Sequence, residues 1–353
     1  MKTEPSSNDP AREQLRAELA VAAPFVGNFE PRLVFTCLWG LVGWALCATL
    51  AVMEILSYWL TVPVASIIVF CLYMPMHEAT HDNIRGDVKQ LAWVNEMVGW
   101  VCSIPLLLDY PSHRIMHMAH HAHTNDSEKD PDFEVAGPLS KALVVSLLQT
   151  PILMLVGIAA WVPAARRSLA TGFAKGTGEN KANKVIVDLR RFNTGVLVIM
   201  ICMILLGAGF EVLMVWLLPA IIGLGIVSMI FAWLPHHPHN GHGRYTNTRV
   251  TLFPGSGLLS RGHDRHIIHH MLPNVPHYHI APVFRDLQEA LEARGTRIEG
   301  PNTKTSTKIY IGWDVERNEE IRRAAEEADA SNESPPGLEH LFRNNDNLSK
   351  GNT

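Results

Sequence analysis

Long apolar blocks alternate with short polar ones along this chain. Residues 1–32 are polar, and "PAREQLRAEL" reads as a short surface helix. Two apolar stretches follow, about 33–53 and about 55–76, joined by almost nothing. Each is near the roughly 20 residues that a helix needs to span a bilayer, so together they predict a tight transmembrane hairpin. Pro63 and Pro75 fall inside the second helix, where a membrane helix tolerates a kink. A second pair is expected at about 193–208 and 212–234, the first member short. Weaker apolar runs occupy about 91–108 and 139–162.

Charge adds sidedness to this pattern. No Lys or Arg occurs between Arg32 and Arg85, or between Arg191 and Arg244. Between the hairpins cluster Arg166, Arg167, Lys175, Lys181, Lys184, Arg190 and Arg191. Basic residues mark the cytoplasmic side, so both termini and the central loop are expected there. The runs 91–108 and 139–162 then belong in the interface or re-enter; a six-span arrangement is the alternative. The charged tail after Gly300, with "NEEIRRAAEEADASNESPPG", is expected to be a partly helical, then disordered cytoplasmic extension.

Composition removes several classes. The chain is 47% hydrophobic with net charge −4, which gives no reason to expect a nucleic-acid partner. No secretory h-region is seen near the start. Five scattered Cys without a C-x-x-C suggest packing residues, not disulfides or an iron–sulfur site.

The informative residue is histidine, 18 in all. HEATH, His77 to His81, fits the zinc-protease pattern H-E-x-x-H. His77 and His81 share a helical face, as do His117, His120 and His121, and again His266, His269 and His270. The topology brings all of these to one membrane side, with His236, His237, His239 and His242 at the end of the last span. That many imidazoles buried together without a metal would leave polar nitrogens unpaired. Eight or more exceed the four ligands of one zinc and suit two ions with open positions. Imidazole alone does not choose among iron, copper, nickel and zinc. An intramembrane zinc protease would need a further Asp, usually before Gly, and the chain has no Asp-Gly pair. A metal transporter would carry its ligands mid-membrane, whereas these lie at span ends.

In order and spacing, HEATH, HMAHH (117–121) and HIIHH (266–270) resemble the three histidine boxes of the membrane fatty acid desaturase and hydroxylase superfamily. Thr124-Asn125 and "MLPNVPHYH" extend the resemblance, which covers about 33–285. It implies an all-α integral membrane protein: four transmembrane helices in two hairpins, interfacial helices, and a cytoplasmic histidine-rich cap. Segment 1–32 precedes that catalytic domain, and a cytoplasmic extension over 286–353 follows it. The resemblance further implies two iron ions, O2 as co-substrate, and the ligands His77, His81, His117, His120, His121, His266, His269 and His270. A ninth comes from the end of the fourth span. His237 is taken for it, with His236 or His239 as alternatives. His113, His123, His263, His277 and His279 are read as outer or surface residues, and Asp82, Asp109, Asp130, Asp132 and Asp264 as candidates to orient ring N–H groups.

No G-x-G-x-x-G and no H-P-G-G of a fused cytochrome b5 are present, so an external donor such as a ferredoxin or a cytochrome b5-type protein is implied. The expected activity is fatty acyl desaturation in a bacterial inner membrane. Box two is also similar to that of carotenoid ring hydroxylases and ketolases, which keeps a carotenoid as the alternative substrate.

Overall fold

A computed structural model describes residues 10–300 of the chain. The expected C-terminal extension lies outside these residues from 301 onward. After α1 (Pro10–Ala22) come the long apolar helices α2 (Pro31–Val52) and α3 (Tyr58–Thr80), the expected hairpin. Next are α4 (Ala92–Leu106), α5 (Tyr110–His123), α6 (Leu139–Ala159), α7 (Pro163–Thr177) and α8 (Glu179–Leu205). The helix α9 (Gly209–Trp233) contains two π-helical stretches, Val212–Leu217 and Ser228–Trp233. A short strand β1 (Arg249–Thr251) precedes α10 (His266–Met271), α11 (Ile280–Ala293) and β2 (Arg297–Glu299). The helix α11 runs unbroken through position 285.

The helix α3 is central, packed against α2, α4 and α9. Small residues let these helices approach. A Cβ on Gly223 would stand 2.6 Å from Val69 Cγ1, and one on Gly99 would stand 2.5 Å from the Tyr110 ring. Tyr110 is one of the largest fully buried side chains. Large apolar side chains remain exposed on α2, α6 and α8, among them Trp39, Leu148, Leu155 and Ile199. Such exposure is unfavourable in water and favourable in lipid.

Among the described residues, four helices are long and apolar enough to cross a membrane: Pro31–Val52, Tyr58–Thr80, Leu139–Ala159 and Gly209–Trp233. The sequence reading correctly expects four such helices but misplaces one. Residues 193–208 do not form a separate element, because 193–205 are the second half of the 27-residue α8. Its first half carries Asp188, Arg190 and Arg191, so the apolar half continues a charged helix. The run 139–162 forms α6, 21 residues long. Its buried positions Ala142, Ser146 and Thr150 recur every fourth residue along one face. Ser146 Oγ donates to Ser228 Oγ of α9 at 2.9 Å. At its far end, Asn193 Nδ2 of α8 donates to the Leu153 carbonyl at 2.8 Å.

The run 91–108 is α4, which turns by 99° into α5. Leu107 ends α4 in a left-handed conformation, φ 52°, and Asp109 caps α5 by accepting from Ser112 N at 2.9 Å. This bend aims α5 across the end of α3. Behind α10, the buried side chains Ile267, Ile268 and Met271 pack with Val283, Phe284 and Leu287 of α11. The two short strands pair in parallel beside them. This second core holds α10 over the end of α3.

Candidate metal centre

The helix α3 delivers His77 and His81 from its last turn, α5 delivers His117, His120 and His121, and α10 delivers His266, His269 and His270. Their rings form two adjoining groups. In the first, ligand-capable atoms of His77, His81, His117 and His269 all lie within 4.8 Å of one another. His81 Nε2 is 2.9 Å from His117 Nε2. His121 Nε2 lies 3.1 Å from His117 Nε2 and 3.0 Å from His269 Nε2. Two nitrogens each ~2.1 Å from one ion and about 90–110° apart lie roughly 3.0–3.4 Å from each other. The spacing therefore fits rings that share an ion. In the second group, His120, His236 and His270 meet the same 4.8 Å criterion. The His266 ring centroid lies 5.1 Å from that of His236 and 4.8 Å from that of His270. The stacked rings of His121 and His270, 4.3 Å apart, join the two groups.

Burial and mutual repulsion favour the neutral form of six of these rings. Desolvation first, then neighbouring imidazoles, holds His117, His121, His236, His266, His269 and His270 well below the ordinary histidine range. A neutral imidazole is the form that binds a metal. Several buried nitrogens have no hydrogen-bond partner, among them Nδ1 of His121, Nε2 of His270 and Nδ1 of His266. Leaving such groups unpaired is costly, and a cation would satisfy them.

Outer contacts fix ring orientation. His120 Nδ1 lies 2.8 Å from Asp130 Oδ1, which leaves Nε2 to face the cluster. For His120, burial opposes the charged form, but Asp130 and Asp132 outweigh it and raise the pKa. Asp130 is itself held, accepting from Asn125 N at 2.7 Å and Asp132 N at 2.9 Å. Thr124 Oγ1 stands 3.2 Å from His270 Nδ1. Asn125 Nδ2 donates to the carbonyls of Gly241 and Asn247, at 2.5 and 2.8 Å. Thr124-Asn125 thus ties the end of box two to box three and to the segment after α9. Of the five candidate aspartates, Asp130 makes the close contact, and Asp132 reaches His120 Nδ1 at 3.7 Å. Asp82 pairs with Arg85 and Arg114, Asp109 caps α5, and Asp264 binds Ser256 and Arg265.

Two assignments change. His237 does not join the cluster; His236 does, with its ring 4.6 Å from that of His120. The His237 ring lies instead against Trp233, 4.8 Å away. His239 lies farther off, its ring 6.1 Å from that of His236. The second change is His263, read from the sequence as an outer residue. It is buried, with its ring 4.9 Å from that of His269 and 5.2 Å from that of His77. His77, Glu78 and His263 form a third close group. No helical spacing points to it, because residues 260–264 form turns ahead of α10. His113 stacks on His117 at 5.5 Å, outside both groups. His277 faces Glu78, and His279 faces Glu30.

Beside the cluster lies a cavity of about 710 Å³. His77 and His117 of the first group line it, as do His120 and His266 of the second. Its further walls include Tyr73, Leu108, Leu153, Val156, Leu224 and Phe231, a mainly apolar seat of the size that holds small organic ligands.

The chain is similar in sequence to known desaturases. Over 253 residues the chain is 23% identical to the chloroplastic omega-3 fatty acid desaturase of Brassica napus, covering 64% of this chain and 60% of that protein. A 72-residue stretch is 32% identical to the sn-1 oleoyl-lipid 12-desaturase of Anabaena variabilis, covering 20% of this chain and 21% of that protein. The chain thus spans less than two thirds of the length of either relative. The family profile described as fatty acid desaturase matches residues 53–300, a region that carries all three histidine boxes. On that match, the chain belongs to the fatty acid desaturase family.

Proposed function

We propose that this protein is an O2-dependent desaturase that introduces a double bond into a fatty acyl chain. The observation that carries the reading is the convergence of two groups of imidazoles on one wall of a mainly apolar cavity. Two irons fit the donor set, because imidazole suits iron and nine histidines exceed the needs of one zinc. His77, His81, His117, His121 and His269 would hold one ion; His120, His236, His266 and His270 would hold the other. When bound, the iron pair supplies the reduction of O2 and the oxidation of the chain. The balance is one –CH2–CH2– unit, O2, two electrons and two protons giving one –CH=CH– unit and two waters.

The residues around the pair orient and exclude. Asp130 fixes the His120 ring. Tyr73, Leu108, Leu224 and Phe231 keep the reacting carbons in an apolar, water-poor wall. Electrons come from a separate donor of the ferredoxin or cytochrome b5 type, and the histidine cap faces the cytoplasm of a bacterial inner membrane.

The test is expression in cells of defined lipid and pigment content, with iron measured on the purified protein. A new acyl double bond and two irons per chain support the reading. An oxygenated carotenoid would move the substrate to the pigment class, and one zinc per chain would end the di-iron assignment.

A further inference from the structure

The cavity has an opening that the desaturase reading does not require. The helices α6 and α7 both line it and are joined by the short connection 160–162. That connection is pinned to α8: Trp161 Nε1 donates to Thr194 Oγ1 at 2.9 Å, and the Arg190 guanidinium lies 4.4 Å from the centroid of the Trp161 ring. At the other end of α7, Gly176 packs against the Lys129 backbone carbonyl. Between these fixed ends, Gln149 and Ile152 of α6 and Ser168 and Gly172 of α7 line the cavity while remaining at least partly exposed. A side chain added at Gly172 would meet nothing within 4 Å.

The surface outside this gap is apolar. Val145, Gln149, Ile152 and Val156 form the cavity-facing stripe of α6. The stripe beside it carries Val144, Leu148 and Leu155, all exposed. Leaving the cavity over Ile152 therefore leads onto the part of a membrane-length helix that favours lipid. The helix α7 carries three basic residues, Arg166, Arg167 and Lys175, and no acidic one. The other approach, over loop 127–134, offers Glu128, Asp132 and Glu134 against one lysine, Lys129, and would repel an anionic carrier.

We propose that the gap between α6 and α7 is a lateral portal, through which one chain of a phosphate-bearing membrane lipid enters the cavity while its headgroup stays against the basic residues of α7. The inference rests on the reading of this cavity as the seat of an acyl chain. It makes the substrate a lipid already dissolved in the bilayer, not a chain delivered by a water-soluble carrier.

The test uses the full metal-loaded chain in vesicles of phosphatidylethanolamine and phosphatidylglycerol, with a trace of phosphatidylglycerol bearing a diazirine at mid-chain. After illumination, labelled peptides are mapped by mass spectrometry. Label concentrated on 145–156 and 168–173 is expected, with most of it lost in Gly172→Trp, whose added ring fills the gap. Gly195→Trp on α8, also in open space, keeps both the label and product formation. Iron content of each variant reports that it has folded. Label spread evenly over lipid-facing helices, or unchanged in Gly172→Trp, overturns the portal. So does labelling of loop 127–134 by a water-soluble diazirine acyl thioester in place of the lipid. Double bonds made at the wild-type rate by Gly172→Trp overturn the portal and leave the desaturase reading standing. Portal label on a metal-loaded wild type that makes no double bond does the reverse.

Discussion

Glu78 Oε1 accepts a hydrogen bond from the backbone N–H of His277, 3.2 Å away across 199 positions of sequence. Its other oxygen accepts from Asn83 Nδ2 at 2.6 Å, and Asn83 also donates to the Pro273 carbonyl at 3.0 Å. The glutamate of HEATH is thus a buried strut between the end of α3 and the segment that follows α10. In a zinc protease the same residue would be the catalytic base. Removing it orphans buried donors, which costs about 1–3 kcal/mol each. Glu78→Ala is expected to lower the unfolding midpoint in detergent while the protein still binds two irons. Loss of one iron with an unchanged midpoint would make Glu78 a ligand instead.

His236 and His237 should separate cleanly. His236→Ala is expected to lower iron content and abolish product, because its ring stands with His120 and His270 in the second group. His237→Ala should keep both irons. Metal analysis of the two purified variants checks this, and a reversed result would restore His237 as the ninth ligand.

Asp130→Asn leaves the His120 ring in place but removes the charge that holds its Nδ1–H. Loss of such an outer carboxylate lowers metal affinity by roughly 10–100-fold. Titration with an iron chelator should therefore strip the variant at lower chelator concentration than the wild type. Equal titration curves would show that Asp130 does not support the ion.

Complete stripping of the wild type offers a further check. Metal-free protein is expected to lose all product formation and to regain it with ferrous iron but not with zinc. Recovery with zinc alone would count against oxidative chemistry.

The close approach of α3 and α9 is open to a stability measurement. Gly223→Val pushes a branched side chain into Val69 and the Ser66 carbonyl. Overpacking of this kind costs about 1–3 kcal/mol. A lower thermal midpoint with unchanged iron content in the surviving fraction is expected; an unchanged midpoint would mean that the helices part without cost.

The spacing of the three boxes was readable because it is local. Imidazoles at i, i+3 and i+4 fall on one helical face wherever that helix stands. Hydropathy likewise found the first hairpin and the last span, each of which satisfies its own backbone hydrogen bonds within one segment. It failed at α8, where one helix runs from a charged half into an apolar one.

Two ligand-region details depended on backbone geometry that periodicity does not encode. The π-helical stretch Ser228–Trp233 shifts the turn just before His236 and His237, so a regular 3.6-residue count cannot choose between them. His263 precedes the helical start of α10 and reaches the cluster through positive-φ turns at Arg261 (53°) and Gly262 (88°). The sequence by itself determined which residue types could bind metal and which helical faces they share, since both follow from short-range chemistry. Only the tertiary structure decided which rings meet, what Glu78 holds, and where the cavity opens. Those outcomes depend on how distant helices cross and on the directions of side chains at helix ends, where local repeat no longer fixes orientation.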